Sequence, residues 1–280
     1  MKKKRSLAFK LIAGGILIAL VPVAAIGAYA LWKASASLTE LSRERAVVTA
    51  RSLAAMIDLV LAEEVKLLAE QAVRPGLRQA AARVREAGAE AAADEIAMLN
   101  RELSAAQKAL GQDYELLVLV GLEGKVFADG TGGSQKGLDI ANRPYFQKAK
   151  GGETAISEPV VSRASGSLVL PIAVPVKDEQ GKTAGVLASV LRIGFLTEKI
   201  LDVKIGKTGY PFIVNAAGLT IAHPNQEHIL KTDISQIPEM GALYKALGTI
   251  KTGIEAYRFK GVDKIAGFAP IPRTGWSLVV

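Results

Sequence analysis

The segment Asp139-Ile140-Ala141-Asn142-Arg143-Pro144-Tyr145-Phe146 holds the residue types best suited to recognition chemistry. A guanidinium can grip a carboxylate with two parallel hydrogen bonds, and neighbouring aromatics can keep water away from the pair. Arg143, followed two places later by Tyr145 and Phe146, has the composition of a small pocket for an organic anion. A purely structural reading uses the same residues: Tyr145 and Phe146 would be core, and Arg143 would pair with Asp139 one helical turn earlier. Composition leaves both open. Among the nearby cations, Lys148 and Lys150 follow on a more polar stretch, and Arg163 adjoins a turn and is expected to be solvated.

Other constellations do not close. Gly121-x-x-Gly124-Lys125 lacks the spacing and the Ser/Thr of a phosphate loop and reads as a hairpin. Gly130 to Ser134 has no helix directly after it to bind an anion and reads as a plain loop. His223, Glu227 and His228 are close in sequence, but Pro224 disfavours a regular helical face, and the chain has 2 histidines in all. No Ser-His-acid set is apparent. The absence of Cys removes disulfides, thiolate metal sites and cysteine nucleophiles. No catalytic residue, metal site or cofactor is therefore expected, and the chain is not read as an enzyme.

Arg143 needs a scaffold, and the texture of the chain supplies one. Residues 33–110 are poor in Gly and rich in Ala, Leu, Glu and Arg, which reads as helix. Leu53, Ile57, Val60, Leu61, Val65 and Leu68 recur at intervals of mostly three and four, giving one apolar face. Arg74-Pro75-Gly76 interrupts it, so two helices are expected, 34–72 and 77–110, the first long enough for a rod; an ordinary helical bundle is the alternative. After Gly111 short apolar runs and glycine turns take over. Strands are expected at Leu116–Val120, Lys125–Ala128, Glu158–Arg163, Ser167–Val176 and Ala184–Arg192, with a helix over Leu138–Lys150. A linking helix over 194–203 precedes a second cycle. Gly124-Lys-Val-Phe-Ala-Asp129 and Gly218-Leu-Thr-Ile-Ala-His223 share a pattern, suggesting a duplicated module. Its last strands would be Gly253–Lys260, Lys264–Pro270 and Trp276–Val280.

The chain has 280 residues, 50% hydrophobic and 22% charged, which excludes a disordered or fibrous protein. Net charge is +8, but Lys2, Lys3, Lys4, Arg5 and Lys10 account for five of these, so no nucleic-acid surface is expected. Leu11 to Trp32 is a run of 22 uncharged residues. As a helix it spans about 33 Å, matching a hydrocarbon core of about 30 Å. The basic cluster places the N-terminus in the cytoplasm and the rest outside it. Tyr29 and Trp32 suit the interface. Ala28-Tyr29-Ala30 also has the form of a signal-peptide cleavage site, which is the competing reading.

Taken in this order, several features resemble a bacterial double Cache sensor, the extracytoplasmic region of methyl-accepting chemotaxis proteins. They are the anchor, the long helix and Asp139-Ile-Ala-Asn-Arg-Pro-Tyr-Phe-Gln147. Glu158-Pro159, Gly185-Val186-Leu187, Ala222-His223-Pro224 and Gly275-Trp276 complete the set. The resemblance implies an α+β fold with two stacked PAS-like antiparallel-sheet modules on a stalk helix. Its expected boundaries are a basic tail 1–10, a transmembrane helix 11–32, stalk and second helix 33–112, and a membrane-distal module 113–193 with the pocket. A linking helix 194–204 and a proximal module 205–280, incomplete at its end, follow. It implies a homodimer through the stalk helix, a location in the cell membrane, and a second membrane helix leading to a signalling coiled coil, a histidine kinase or a cyclic-nucleotide output. A tethered or secreted binding protein without output is the alternative function, and a structural stalk without ligand is a third, favoured if side chains fill the distal pocket.

In the amino-acid-sensing subset an Arg-x-aromatic-aromatic set holds the ligand carboxylate, and Arg143, Tyr145 and Phe146 match it. An aromatic that precedes the Arg by five positions is Leu138 here. The acids that hold the amine have approximate counterparts in Ser162 and Val190. The resemblance thus favours a small organic carboxylate over an amino acid. Phe127, Asp129 and Ser162 complete the expected ligand-binding residues.

Overall fold

The structure, a computed structural model, describes residues 7–201, 203, 205, 209–259 and 261–280, with side chains for all of these except 7–14, 16–19, 200 and 201. Helix α1 runs from Leu7 to Ala72. Lys2 to Arg5 lie outside the described residues, as do several side chains of the expected span over Leu11 to Trp32. Among the described residues no helix is long and apolar enough to cross a membrane.

The apolar face expected on α1 exists: Leu53, Ile57, Leu61 and Leu68 are buried, and Val60 and Val65 are partly so. At about 1.5–3 kcal/mol for each fully buried Leu or Ile, this stripe attaches the rod to everything that follows. The expected second helix over 77–110 is two helices, α2 (Pro75–Ala87) and α3 (Ala93–Leu110). Gly88, at φ +83°, ends α2 by turning its N–H onto the Val84 carbonyl.

The first sheet contains β1 (Tyr114–Val120), β2 (Val126–Asp129), β3 (Ala155–Ile156), β4 (Val160–Val161), β5 (Leu168–Lys177) and β6 (Thr183–Arg192). Its order is β2-β1-β6-β5-β3, with β4 also on β5, and every pairing is antiparallel. Leu117, Leu119, Leu170, Ile172 and Leu187 face the helices; Leu116, Val118, Val169, Ala173 and Val190 face the other way. Both faces are covered, which is why β1 reads as an unbroken apolar run from Leu116 to Val120. The cover on the second face is α4 (Pro144–Lys150), shorter than the helix expected over 138–150. The reason lies in residues 138–141. Asp139 Oδ1 accepts the Ala141 N–H at 2.8 Å, and the Leu138 and Ile140 backbone pairs with Val126 and Gly124. The strand expected over Glu158–Arg163 shrinks to β4.

After α5 (Gly194–Leu201) the second sheet comprises β7 (Phe212–Val214), β8 (Thr220–Ala222), β9 (Gly253–Phe259), β10 (Val262–Ile271) and β11 (Trp276–Val279), covered in part by α6 (Gly241–Thr249). Its order, β8-β7-β11-β10-β9, repeats that of the first sheet. The repeat holds at single bonds. Ile140 N–H reaches Gly124 O at 2.8 Å, and Ile234 N–H reaches Gly218 O at 2.9 Å. Val126 N–H reaches Leu138 O at 3.0 Å, and Thr220 N–H reaches Thr232 O at 2.9 Å. Each pair is separated by the same interval along the chain. Gly124 and Gly218 both have φ near +90°, and a Cβ on Gly124 would lie 2.4 Å from the Ala141 Cα. Glycine is what lets this turn press against the Arg143 loop. α1 packs on the second sheet closely enough that a Cβ on Gly267 would meet the Ala46 carbonyl carbon at 2.3 Å.

Candidate functional site

The pocket lies between the outer face of the first sheet and a roof made by residues 138–145 and β4. Leu116, Val118, Val126, Val169 and Val190 form its floor; Leu138, Ile140, Arg143, Tyr145, Val161, Ser162 and Arg163 enclose it. Pro144 at the first position of α4 fixes the backbone there, and Arg143 is the N-cap residue. One arm of its guanidinium donates to the Val161 carbonyl at 3.0 Å, bridging roof and strand. Among the described residues Arg143 has no carboxylate partner. Asp139 is engaged with backbone, so the Arg143–Asp139 pair of the structural reading does not form.

Arg163, expected to be solvated, is exposed, yet it lines the pocket mouth, donating to the Asp139 carbonyl and, at 2.8 Å, to Asn142 Oδ1. Two guanidiniums therefore flank the opening. Burial pushes the Tyr145 hydroxyl up, and Arg143 and Arg163 oppose that shift, which places both cations within electrostatic reach of the ring's end.

The other expected residues divide. Ser162 lines the pocket and is buried. Phe146 is 0% exposed and packs beneath α4 as core. Phe127 turns toward the helices, because strand alternation gives the pocket face to its neighbour Val126. Asp129 is also fully buried, and its carboxylate accepts the N–H groups of Thr131, Gly133 and Gln135 at 2.8–3.1 Å. It organises the 129–137 loop and does not line the pocket.

Glu115 is a residue that the sequence reading misses. It sits at an irregularity of β1, between Tyr114 and Leu116, and is 9% exposed. Its carboxylate accepts the Ser162 hydroxyl and, at 2.8 Å, the Ser165 hydroxyl. An acid thus stands behind the polar side of the pocket. The cavity itself measures about 30 Å³, room for a water-sized group. Entry of anything larger requires the roof and β4 to part.

The second module has its own cavity of about 30 Å³, lined by Tyr210, Phe212, His223, His228, Tyr257 and Phe259. The histidine rings are 4.6 Å apart. His223 Nδ1 accepts the Asn225 N–H at 2.9 Å, and burial followed by repulsion from His228 lowers its pKa to about 4. No group of three or more metal-ligating residues occurs among the described residues. By the repeat interval, Ile237 stands where the first module has Arg143, so this site lacks the anion anchor.

The Cache domain family (dCache_1) matches residues 33–280. The chain belongs to this family. As a Cache domain it resembles chemoreceptor proteins in particular. Methyl-accepting chemotaxis protein McpB of Bacillus subtilis is 30% identical over 145 residues, 51% of this chain and 20% of that protein. Methyl-accepting chemotaxis protein PctB of Pseudomonas aeruginosa is 26% identical over 166 residues, 59% of this chain and 25% of that protein. The chain spans about a quarter or less of the length of these relatives. Among solved structures, the ligand-binding domain of the Pseudomonas fluorescens chemoreceptor CtaA in complex with L-serine aligns with a TM-score of 0.61 at 20% identity, over 86% of this chain and 96% of that one. That of the Campylobacter jejuni chemoreceptor Tlp3 in complex with L-valine aligns with a TM-score of 0.64 at 15% identity, over 88% and 94%. At these identities the likeness carries the Cache fold.

Proposed function

We propose that the chain is the extracytoplasmic sensing region of a membrane chemoreceptor, and that the pocket beside Arg143 takes a small molecule by its carboxylate. The carrying observation is a guanidinium at the pocket mouth with no carboxylate partner among the described residues, set against the buried ring of Tyr145. The relatives named as methyl-accepting chemotaxis proteins support a signalling role. The uncharged run from Leu11 to Trp32, entered by Lys2 to Arg5, supports a single N-terminal membrane span. The exposed apolar side chains Leu38, Leu41 and Val48 further along α1 suit a homodimer through the stalk. Because the space inside the pocket is only water-sized, a ligand selects or creates a wider one, and the displacement of the roof relative to the sheet is the signal passed to α1.

A second reading, an amino acid, is favoured by one observation: the Glu115 carboxylate held behind Ser162. The CtaA and Tlp3 domains are complexes with L-serine and L-valine. The test is a thermal-shift screen of the full chain against matched pairs, propionate with alanine and isovalerate with valine. Bound ligand raises the melting temperature by mass action. A shift with the acids decides for the first reading and a shift with the amino acids alone for the second. No shift with any compound bearing a carboxylate would count against the pocket.

A further inference from the structure

A second cavity, of about 190 Å³, lies on the opposite face of the first sheet, between α1, α3 and β1. Leu67, Leu110 and Leu117 give it apolar walls, and Glu64, Tyr114 and Ser189 supply polar groups. Ser189 is 2% exposed, and its hydroxyl oxygen is buried with no hydrogen-bond partner among the described residues. Strand register fixes where it points. Its cross-strand partners are Leu117 and Ile172, both in the core facing the helices. A buried hydroxyl left without a partner is costly and calls for a group to bind.

Glu64 adds charge. Its carboxylate accepts the Tyr114 hydroxyl and forms no ion pair among the described residues, whereas its neighbour Glu63 reaches Lys66 at 3.9 Å. Burial pushes the Glu64 carboxyl up, with Asp113 acting in the same direction and Tyr114 and Lys199 against it. A cation arriving at the carboxylate would relieve that strain on the charged form.

We propose that this cavity binds a short primary alkylammonium ion, with its head at Glu64, Tyr114 and Ser189 and its chain along the leucine walls. An ammonium group has three donors, and these three side chains offer three acceptors. Glu64 repels an anion. A neutral alcohol would satisfy Ser189 and leave the carboxylate uncompensated. At ~30 Å³ for each water-sized group, the volume holds about six heavy atoms, or roughly five carbons and the nitrogen. The site is distinct from the Arg143 pocket, since Leu116 and Val190 face one cavity while Leu117 and Ser189 face the other.

The experiment is calorimetric titration of the full chain with n-butylammonium chloride, with n-butanol and butyrate as comparators. Saturable butylammonium binding is expected. Glu64→Gln should weaken it at least about tenfold and Ser189→Ala by about threefold or more. Arg143→Ala should leave it unchanged. Circular dichroism reports folding of each variant, and if Glu64→Gln does not fold, Ser189→Ala decides. Absence of saturable binding to folded wild type overturns the proposal. Equal affinity in folded Ser189→Ala does so too, as does loss of binding in folded Arg143→Ala, which would move the amine to the other pocket.

Discussion

At the residue scale, Arg143 and Tyr145 stand out in the sequence because a guanidinium beside paired aromatics is unusual, whereas Ser162 comes only from the family resemblance; all three line the cavity. Phe127 cannot be assigned a side. β2 is covered on both faces, so no polar alternation marks which residues look into the pocket. Glu115 is hidden by the irregularity at the start of β1, which adds a residue out of phase with the strand. Asp129 is legible as polar but not as a loop brace. Asp129→Ala should cost about 1–3 kcal/mol in urea denaturation, since the loop donors lose a buried acceptor, and should spare ligand affinity. Loss of affinity with intact stability would return it to the ligand-binding set.

His223 gives a pH prediction at the same scale. Its folded pKa, about 4, is below the ordinary 6.5, so the unfolded chain binds a proton that the folded chain refuses. Its contribution is fully present above pH 6.5 and declines as pH falls toward 4. With solvent screening, the loss should be about 1–2 kcal/mol. Unfolding free energies at pH 7.5 and 4.5 should therefore differ less in His223→Gln than in wild type. An identical pH dependence in both would mean that His223 protonates freely in the folded state.

At the element scale, the spacing of Leu53, Ile57, Leu61 and Leu68 exposes the buried face of α1, because a long amphipathic helix repeats its signal many times. The break between α2 and α3 carries one Gly and several Ala, a composition compatible with continuing helix. The helix over 138–143 fails for a different reason. Asp139 spends its side chain on a turn, and the backbone there pairs with the Gly124 turn, a tertiary contact that local propensity does not contain. The α1–sheet contact can be tested at Gly267. Gly267→Ala should destabilise the protein by about 1–3 kcal/mol, because its Cβ would collide with the Ala46 backbone. Unchanged denaturation would mean that α1 can shift off the second sheet without loss.

At the scale of the whole molecule, the duplicated Gly-led turn is the visible trace of two sheets with the same strand order. What the repeat cannot tell is how the two cavities differ: one with two guanidiniums at its mouth, the other with paired histidines and Ile237 in the anchor's place. That asymmetry favours the first module for anion recognition. The most direct measurement is calorimetric titration of wild type, Arg143→Ala and Arg143→Lys with the tightest carboxylate from the thermal-shift screen. Losing a desolvated charge partner costs about 2–5 kcal/mol, so Arg143→Ala should bind at least about thirtyfold more weakly while keeping its fold. Arg143→Lys should recover only part, since a point charge cannot reproduce the planar fork. Wild-type affinity in folded Arg143→Ala would contradict the assignment of Arg143 as the anion anchor.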